Sequence, residues 1–206
     1  MMQDEFIYQL FDDITSDTVR SVATFLRGLP DKARVILDIT SYGGEIFPSI
    51  AIIQMIQMNQ KFGVHFTARI WGLAASSAAD IALACDRVEM GATGTIMIHS
   101  AWVVDVEENH KHDPGIEIAN AAQLEVIHKR LPDYSEKDLQ TDRWFTAGEA
   151  LKIGLVDAIF DVDDSMMKAQ IAAKYISIHN GEVTMEDVKK EEMIEEKGEE
   201  ILEEKE

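Results

Sequence analysis

The chain has 206 residues and a mass of 23.1 kDa, which is enough for one well-packed domain with a tail and too little for two large catalytic domains. Hydrophobic residues make up 46% and charged residues 28%, a composition that excludes disorder throughout and collagen-like or disulfide-scaffold proteins. Acidic residues outnumber basic ones by 38 to 19, and the resulting net charge of -19 excludes nucleic acid as a partner, because phosphate backbones would be repelled.

Strand and helix patterns alternate along the first three quarters of the chain. The stretch 34–39 is apolar and rich in β-branched residues, which is typical of a strand buried on both faces of a parallel sheet. The alternation predicts an α/β fold of βαβ units with a layered, mostly parallel sheet. The predicted strands are 6–11, 34–39, 64–70, 87–89 and 95–98, and the predicted helices are one between Ser16 and Gly28 and those at 48–58, 74–84 and 116–129.

The composition changes after Asp161. Residues 186–206 carry eleven acids against four lysines and few apolar side chains, so no buried helical face is expected there. We therefore divide the chain into a folded domain at 1–163 and a charged C-terminal extension at 164–206, either helical or disordered.

The cysteine content and the N-terminus bear on location. Cys85 is the one cysteine, so no internal disulfide can form, and its apolar surroundings predict a small buried side chain. The N-terminus has no signal-peptide pattern, and no apolar stretch reaches the roughly 18 residues of a membrane span. We expect a cytoplasmic protein with no membrane partner.

Three places combine reactive side chains with backbone devices. Gly43 and Gly44 follow a buried strand and precede a helix, where glycine lets another group come close to main-chain N–H groups, although many such pairs are plain turns. Ser76 lies where a small-residue helix begins, as a nucleophile near the positive helix end or as an ordinary N-cap. His99 ends an apolar strand, where it faces a ligand crevice or is simply a satisfied buried histidine. Together they supply the nucleophile, base and oxyanion donors of acyl transfer.

The order of these motifs resembles the ClpP family of serine peptidases, whose fold is shared with the crotonases. The resemblance covers about residues 6–160 and implies a ClpP/crotonase-like fold and a homo-oligomeric ring. It also implies a serine endopeptidase that acts on protein or peptide substrates without a cofactor or metal. It rests on Gly43-Gly44, Gly72-Leu73-Ala74-Ala75-Ser76, Met97-Ile98-His99 and the closing stretch Asp142-Arg143-Trp144-Phe145-Thr146-Ala147-Gly148-Glu149-Ala150 through Ile153-Gly154-Leu155-Val156-Asp157.

The resemblance assigns roles to individual residues. It implies that Ser76 is the nucleophile and His99 the general base, that the N–H groups of Gly44 and Ser77 form the oxyanion hole, and that Gly43 contacts substrate. Counting back without gaps from Thr146 places Asp138 at the third position of the triad. Asp142, one helical turn later, is the alternative, since the preceding segment is shorter here than in typical members.

The departures from the family pattern suggest a more particular role. Tyr42 stands where proline is usual, Ser100-Ala101 replaces Gln-Pro, and the chain begins almost at the first core strand, without the segment that forms axial pore loops. We therefore expect no AAA+ unfoldase partner. The shortened segment after His99 and the charged extension resemble ClpP-related phage and prophage proteases, which process capsid, scaffold or portal proteins in head maturation.

Three alternatives stay open at this point. A displaced aspartate would leave a catalytically silent ClpP-like ring subunit or assembly protein. A crotonase-type acyl-CoA enzyme would use the same oxyanion geometry but has no need of the Ser76, His99 and Asp138 set. A Ser-Lys peptidase would need a lysine in the cleft, and no lysine lies between Lys61 and Lys111.

Overall fold

The computed structural model describes residues 5–104, 110–111 and 113–161. The extension predicted at 164–206 lies outside this part of the chain. The described elements, in chain order, are β1 (Glu5–Leu10), α1 (Ser16–Arg27), β2 (Arg34–Ser41), α2 (Ile46–Lys61), β3 (His65–Ala75), α3 (Ser77–Ala84), β4 (Arg87–Gly91), β5 (Thr95–Ile98), β6 (Val103–Val104), β7 (His110–Lys111), α4 (Pro114–Ile127), α5 (Glu136–Leu139), β8 (Arg143–Thr146), α6 (Ala147–Lys152) and β9 (Ala158–Phe160).

A mostly parallel sheet forms the centre of the fold. Its main path runs β1-β2-β3-β4-β9 with every neighbouring pair parallel, and β5 also pairs in parallel with β3. Residues 35–39 of β2 are all buried, as their apolar pattern predicts for a strand covered on both faces. The predicted α/β fold with a mostly parallel sheet is confirmed.

Strand β3 is longer than predicted, and the predicted helix at 74–84 begins too early. The strand continues to Ala75 because its pairing with β2 shifts register after Ile70, and its last residues then pair with β5, Ala75 opposite Met97. Ala74 and Ala75 favour helix by propensity, but the hydrogen bonds of the second pairing outweigh that preference. The carboxyl ends of β3 and β5 consequently lie side by side.

Four short strands, β6, β7, β8 and β9, have no counterpart in the predicted set. Strand β8 runs antiparallel to β5, with Ile98 opposite Arg143, and β9 joins β4 at the far edge. These four strands have two to four residues each, which is too short for an alternating pattern to stand out from the neighbouring sequence. The antiparallel strand matters most, because it brings the chain back beside the end of β5.

Helix α3 is enclosed by the rest of the domain. All eight of its residues are buried, and their small side chains allow α2, α4 and the sheet to pack closely around it. Cys85, at its C-terminal end, is buried as predicted, and burial raises the pKa of its thiol. The start of α3 is therefore held by a rigid support.

Candidate active site

Ser76 lies at the junction between β3 and α3 in a rare backbone conformation. Its φ is 54° and its ψ is -130°, one of two positive-φ residues other than glycine among those described. Its N–H donates to the Met97 carbonyl oxygen at 2.9 Å, which fixes the turn against β5. The Oγ makes no capping bond to α3, so Ser76 occupies the N-cap position without acting as an ordinary N-cap serine.

His99 contacts two side chains through its two ring nitrogens. Its Nε2 lies 2.7 Å from Ser76 Oγ and its Nδ1 lies 3.1 Å from Asp142 Oδ1. The side chain is 11% exposed, and the Trp102 ring lies edge-on to it with centroids 4.4 Å apart. Burial lowers the pKa of His99 below 6.5, against the opposing effect of Asp142. A neutral imidazole at pH 7 is the form that can accept a proton.

The carboxylate beside His99 belongs to Asp142, which corrects the gap-free count that selected Asp138. The pairing of β5 with β8 is antiparallel, so the register that sets Ile98 opposite Arg143 brings residues 99 and 142 together. This register depends on how the segment between the two strands folds back. Counting along the sequence from Thr146 cannot reproduce it.

Asp138 has a different environment. It is the third residue of α5, where its carboxylate accepts from the N–H and hydroxyl of Ser135 at 3.0 and 2.6 Å, and from Arg143 at 2.6 Å. The bond from the Ser135 hydroxyl is the largest cause that lowers the pKa of Asp138. Asp138 thus caps a helix and forms an ion pair, and it does not contact His99.

The glycine turn is packed directly against the serine. Gly43 has a φ of 98°, and a Cβ there would lie 2.6 Å from the Ala75 carbonyl oxygen and 3.1 Å from the Ser77 nitrogen. Gly44, with a φ of 152°, lies as closely against Ile14, where a Cβ would come within 2.4 Å of the carbonyl oxygen. Only glycine fits either position without moving the backbone.

Two main-chain N–H groups near Ser76, those of Ser77 and Gly44, are not used by the hydrogen bonds of the neighbouring helix and strand pairing. Ser77 is the first residue of α3, so its N–H has no acceptor within the helix. Two main-chain hydrogen bonds join Ile14 to the residues on either side of Gly44: the Ile14 N–H donates to the Gly43 carbonyl, and the Glu45 N–H donates to the Ile14 carbonyl. The Gly44 N–H takes part in neither bond. These are the two groups that the family resemblance nominates as oxyanion donors.

We expect Gly43→Ala to disrupt this site. The added Cβ would meet the Ala75 carbonyl in a conformation that alanine disfavours, so stability should fall by about 2 kcal/mol and peptidase activity by about 100-fold. Thermal unfolding and initial rates would measure both effects. Gly148→Ala in α6 is the matched control, because its Cβ would meet nothing within 4 Å, and it should leave both values near those of the wild type. Equal behaviour of the two variants would contradict the close packing described here.

Three side chains around the site are absent from the sequence-based candidates. Trp102 contacts the His99 ring, the buried Gln123 donates to the His99 main-chain oxygen, and the buried Asp80 accepts from Gln123. An aromatic residue three positions after a candidate histidine is a usable signal, whereas the other two become neighbours only through packing of α3 and α4. Among the described residues, no group of three or more His, Cys, Asp or Glu side chains could hold a metal ion.

The fold and these contacts define a class of protein, an α/β protein with a hydrogen-bonded serine, histidine and aspartate at the carboxyl ends of parallel strands. The Clp protease family profile matches residues 1–163. The chain therefore belongs to the Clp protease family, which consists of serine peptidases.

Comparison with individual proteins adds evidence on the fold. A search of curated proteins finds no match. Among solved structures, an alanine mutant of the 1510-N membrane-bound stomatin-specific protease is similar, with a TM-score of 0.67 and 18% identity over 82% of this chain and 84% of that one. This likeness supports the same fold. Within the described residues of this chain, no helix is long and apolar enough to cross a membrane.

Proposed function

We propose that this Clp-family serine peptidase is an endopeptidase that uses Ser76 as nucleophile, His99 as general base and Asp142 as the residue that orients His99. The observation that carries the proposal is the continuous set of contacts from Ser76 Oγ through both ring nitrogens of His99 to Asp142. The three residues lie at the junction of β3 and α3, directly after β5 and directly before β8, and they converge in the order that acyl transfer needs.

The proposed reaction has two halves. Ser76 Oγ attacks the peptide carbonyl carbon while its proton passes to His99 Nε2, and the N–H groups of Gly44 and Ser77 stabilise the oxyanion. The C–N bond then breaks as His99 returns the proton to the leaving amine. Water attacks the acyl-enzyme with His99 again as base, which releases the carboxylic acid and restores Ser76. Every step is a proton transfer or an addition and elimination at one carbon.

The substrate class we propose is an extended peptide lying beside Gly43-Gly44 and the segment after His99. Backbone groups at the carboxyl ends of the strands would align the main chain, as in strand addition. Exposed aromatic rings around the site offer apolar contacts to the substrate side chains; these are Tyr42, Trp102 and Trp144.

The resemblance to phage and prophage members carries the proposal one step further, to the processing of capsid, scaffold or portal proteins by a homo-oligomeric ring. A direct test incubates the protein with an internally quenched peptide library, unfolded proteins and an acyl-CoA thioester. Cleavage of peptides within the chain supports an endopeptidase. Thioester hydrolysis without peptide cleavage would contradict it in favour of crotonase-like chemistry.

The pH dependence of turnover should reflect the environment of His99. Because burial lowers its pKa below 6.5, the acid limb of kcat/KM should have its midpoint below pH 6.5, with activity lost as pH falls through the folded pKa. Asp142 raises that pKa, so Asp142→Asn should move the limb to still lower pH. Initial rates across the acid and neutral range measure both. An acid limb above pH 6.5 would contradict this assignment of the base.

A further inference from the structure

Gln123 links His99 to α3, the helix that begins directly after Ser76. Its Nε2 donates to the His99 main-chain oxygen at 2.9 Å and to Asp80 Oδ1 at 3.0 Å. Gln123 is 3% exposed and Asp80 is 1% exposed. Both amide hydrogens of Gln123 are therefore used, one towards β5 and one towards α3.

Two oxygens of this pair have no hydrogen-bond partner among the described residues. They are Asp80 Oδ2 and Gln123 Oε1, and both are buried. An ionised Asp80 would leave two acceptors unpaired in the interior, a costly arrangement for a charged group. A single proton on Asp80 Oδ2 supplies the missing donor.

We propose that Asp80 is a neutral carboxylic acid that forms a cyclic acid-amide pair with Gln123, and that this pair positions the His99 main chain. In the pair, Gln123 Nε2 donates to Asp80 Oδ1 and the acid O–H on Oδ2 donates to Gln123 Oε1. The ring closes with every donor and acceptor used. The second N–H of Gln123 remains available for the His99 carbonyl.

The surroundings of Asp80 favour the neutral acid. Burial raises the pKa of Asp80 to about 7, although the bond from Gln123 opposes the rise. None of the ion pairs between described residues includes Asp80. Tyr134 lies close enough to Asp80 that Asp80 contributes to raising the pKa of Tyr134. Asp80 also lines a groove between α2 and α4, and the other charged residues that line this groove are Lys61, Glu125 and Lys129.

The Asp80–Gln123 pair connects Ser76 and His99, the nucleophile and the base of the proposed reaction. The Asp80 N–H donates to the Ser76 carbonyl oxygen at 3.2 Å, and Gln123 holds the carbonyl of His99. Asp80 and Gln123 are thus positioning residues, and their effect on turnover rests on the proposed function. The hydrogen bonding between Asp80 and Gln123 can be tested independently of the proposed function.

Asp80→Asn separates the neutral acid from a carboxylate. The introduced amide can donate to Gln123 Oε1 and accept from Nε2, which preserves the ring but removes the titration. Below about pH 7 we expect Asp80→Asn and the wild type to have the same kcat. Above about pH 7 the kcat of the wild type should fall, whereas that of Asp80→Asn should not. Gln123→Leu should lower kcat by about 10- to 100-fold with little change in KM, because His99 loses its support. Asp31→Asn, at an exposed acid, is the matched control for charge and should follow the wild type.

Thermal unfolding and infrared spectra provide readouts that need no turnover. Between pH 3.8 and about 7 the folded protein keeps a proton that the unfolded chain releases. The wild type should therefore lose stability relative to Asp80→Asn as pH rises through this window, and the difference should be constant above it. Below pH 7 the wild type should also show a carboxylic-acid C=O band from a buried acid that Asp80→Asn lacks.

The outcomes discriminate the pair from the proposed function. Absence of the band, or parallel stability profiles for the wild type and Asp80→Asn, would overturn the acid-amide pair even in an active enzyme. Matching alkaline activity of the wild type and Asp80→Asn, or unchanged kcat in a folded Gln123→Leu, would overturn the positioning role. A protein with no peptidase activity that still shows the band and the stability difference would retain the pair while the proposed function fails.

Discussion

Ser76→Ala is expected to lower peptide hydrolysis by roughly 10⁴- to 10⁶-fold, because the attacking oxygen is lost and only binding and oxyanion stabilisation remain. The variant should fold normally. Ser76 Oγ makes no capping bond to α3, and alanine keeps the N–H that donates to Met97. Initial rates with a cleaved peptide, together with thermal unfolding, measure the two properties.

The matched control is Ser21→Ala, which removes an exposed serine from α1 and should leave the rate unchanged. Burial of all eight residues of α3 keeps the backbone at position 76 in place in either variant. Hydrolysis that persists in Ser76→Ala within about 10-fold of the wild type would remove Ser76 from the mechanism.

Asp142→Asn is expected to lower kcat by roughly 100- to 10,000-fold. The carboxylate accepts from His99 Nδ1, and an amide in its place no longer stabilises the imidazolium and can favour the wrong tautomer. The lower end of that range reflects its exposure, since the Asp142 side chain is 67% exposed and solvent screens its charge. Single-turnover kinetics would separate this loss from slower product release.

Asp138→Asn provides the matched comparison four residues away. It removes the same charge, but the side chain belongs to the helix cap at Ser135 and the ion pair with Arg143. We expect the stability of Asp138→Asn to decrease slightly and its turnover to stay within a few-fold of the wild type. A larger loss of kcat in Asp138→Asn than in Asp142→Asn would reverse the assignment and reinstate the sequence-based prediction.

Local patterns are sufficient to identify Ser76 and His99 as candidates. His99 directly follows the strand predicted at 95–98, Ser76 lies a few residues after the strand predicted at 64–70, and the small side chains around Ser76 mark a closely packed helix. Because parallel strands place their carboxyl ends at one edge, the pattern also indicates that the two residues meet. The structure brings Ser76 Oγ and His99 Nε2 to 2.7 Å.

The aspartate cannot be selected in the same way. Its position depends on the antiparallel register of β8 against β5, and β8 is four residues long with one buried side chain, Phe145. A shift of the turn before it would present a different carboxylate. The same reasoning applies to Asp80 and Gln123, which are 43 residues apart and contact each other only because α3 and α4 pack together.

The end of β3 shows the limit of propensity. Ala74 and Ala75 have strong helix preference, yet their pairing with β5 keeps them extended until Ser76. This extension is what sets the serine at a sharp turn between strand and helix. Local propensity places the start of the helix at Ala74 rather than Ser77, and so misses the strained backbone at the nucleophile position.

The most direct test of the account is labelling with a serine-directed fluorophosphonate, followed by intact mass and peptide mapping of the wild type and Ser76→Ala. We expect one adduct, located on Ser76 and absent from the variant, with a labelling rate that falls as His99 becomes protonated. A folded wild-type protein that gains no adduct, or gains one equally in Ser76→Ala, would contradict an activated serine at this site.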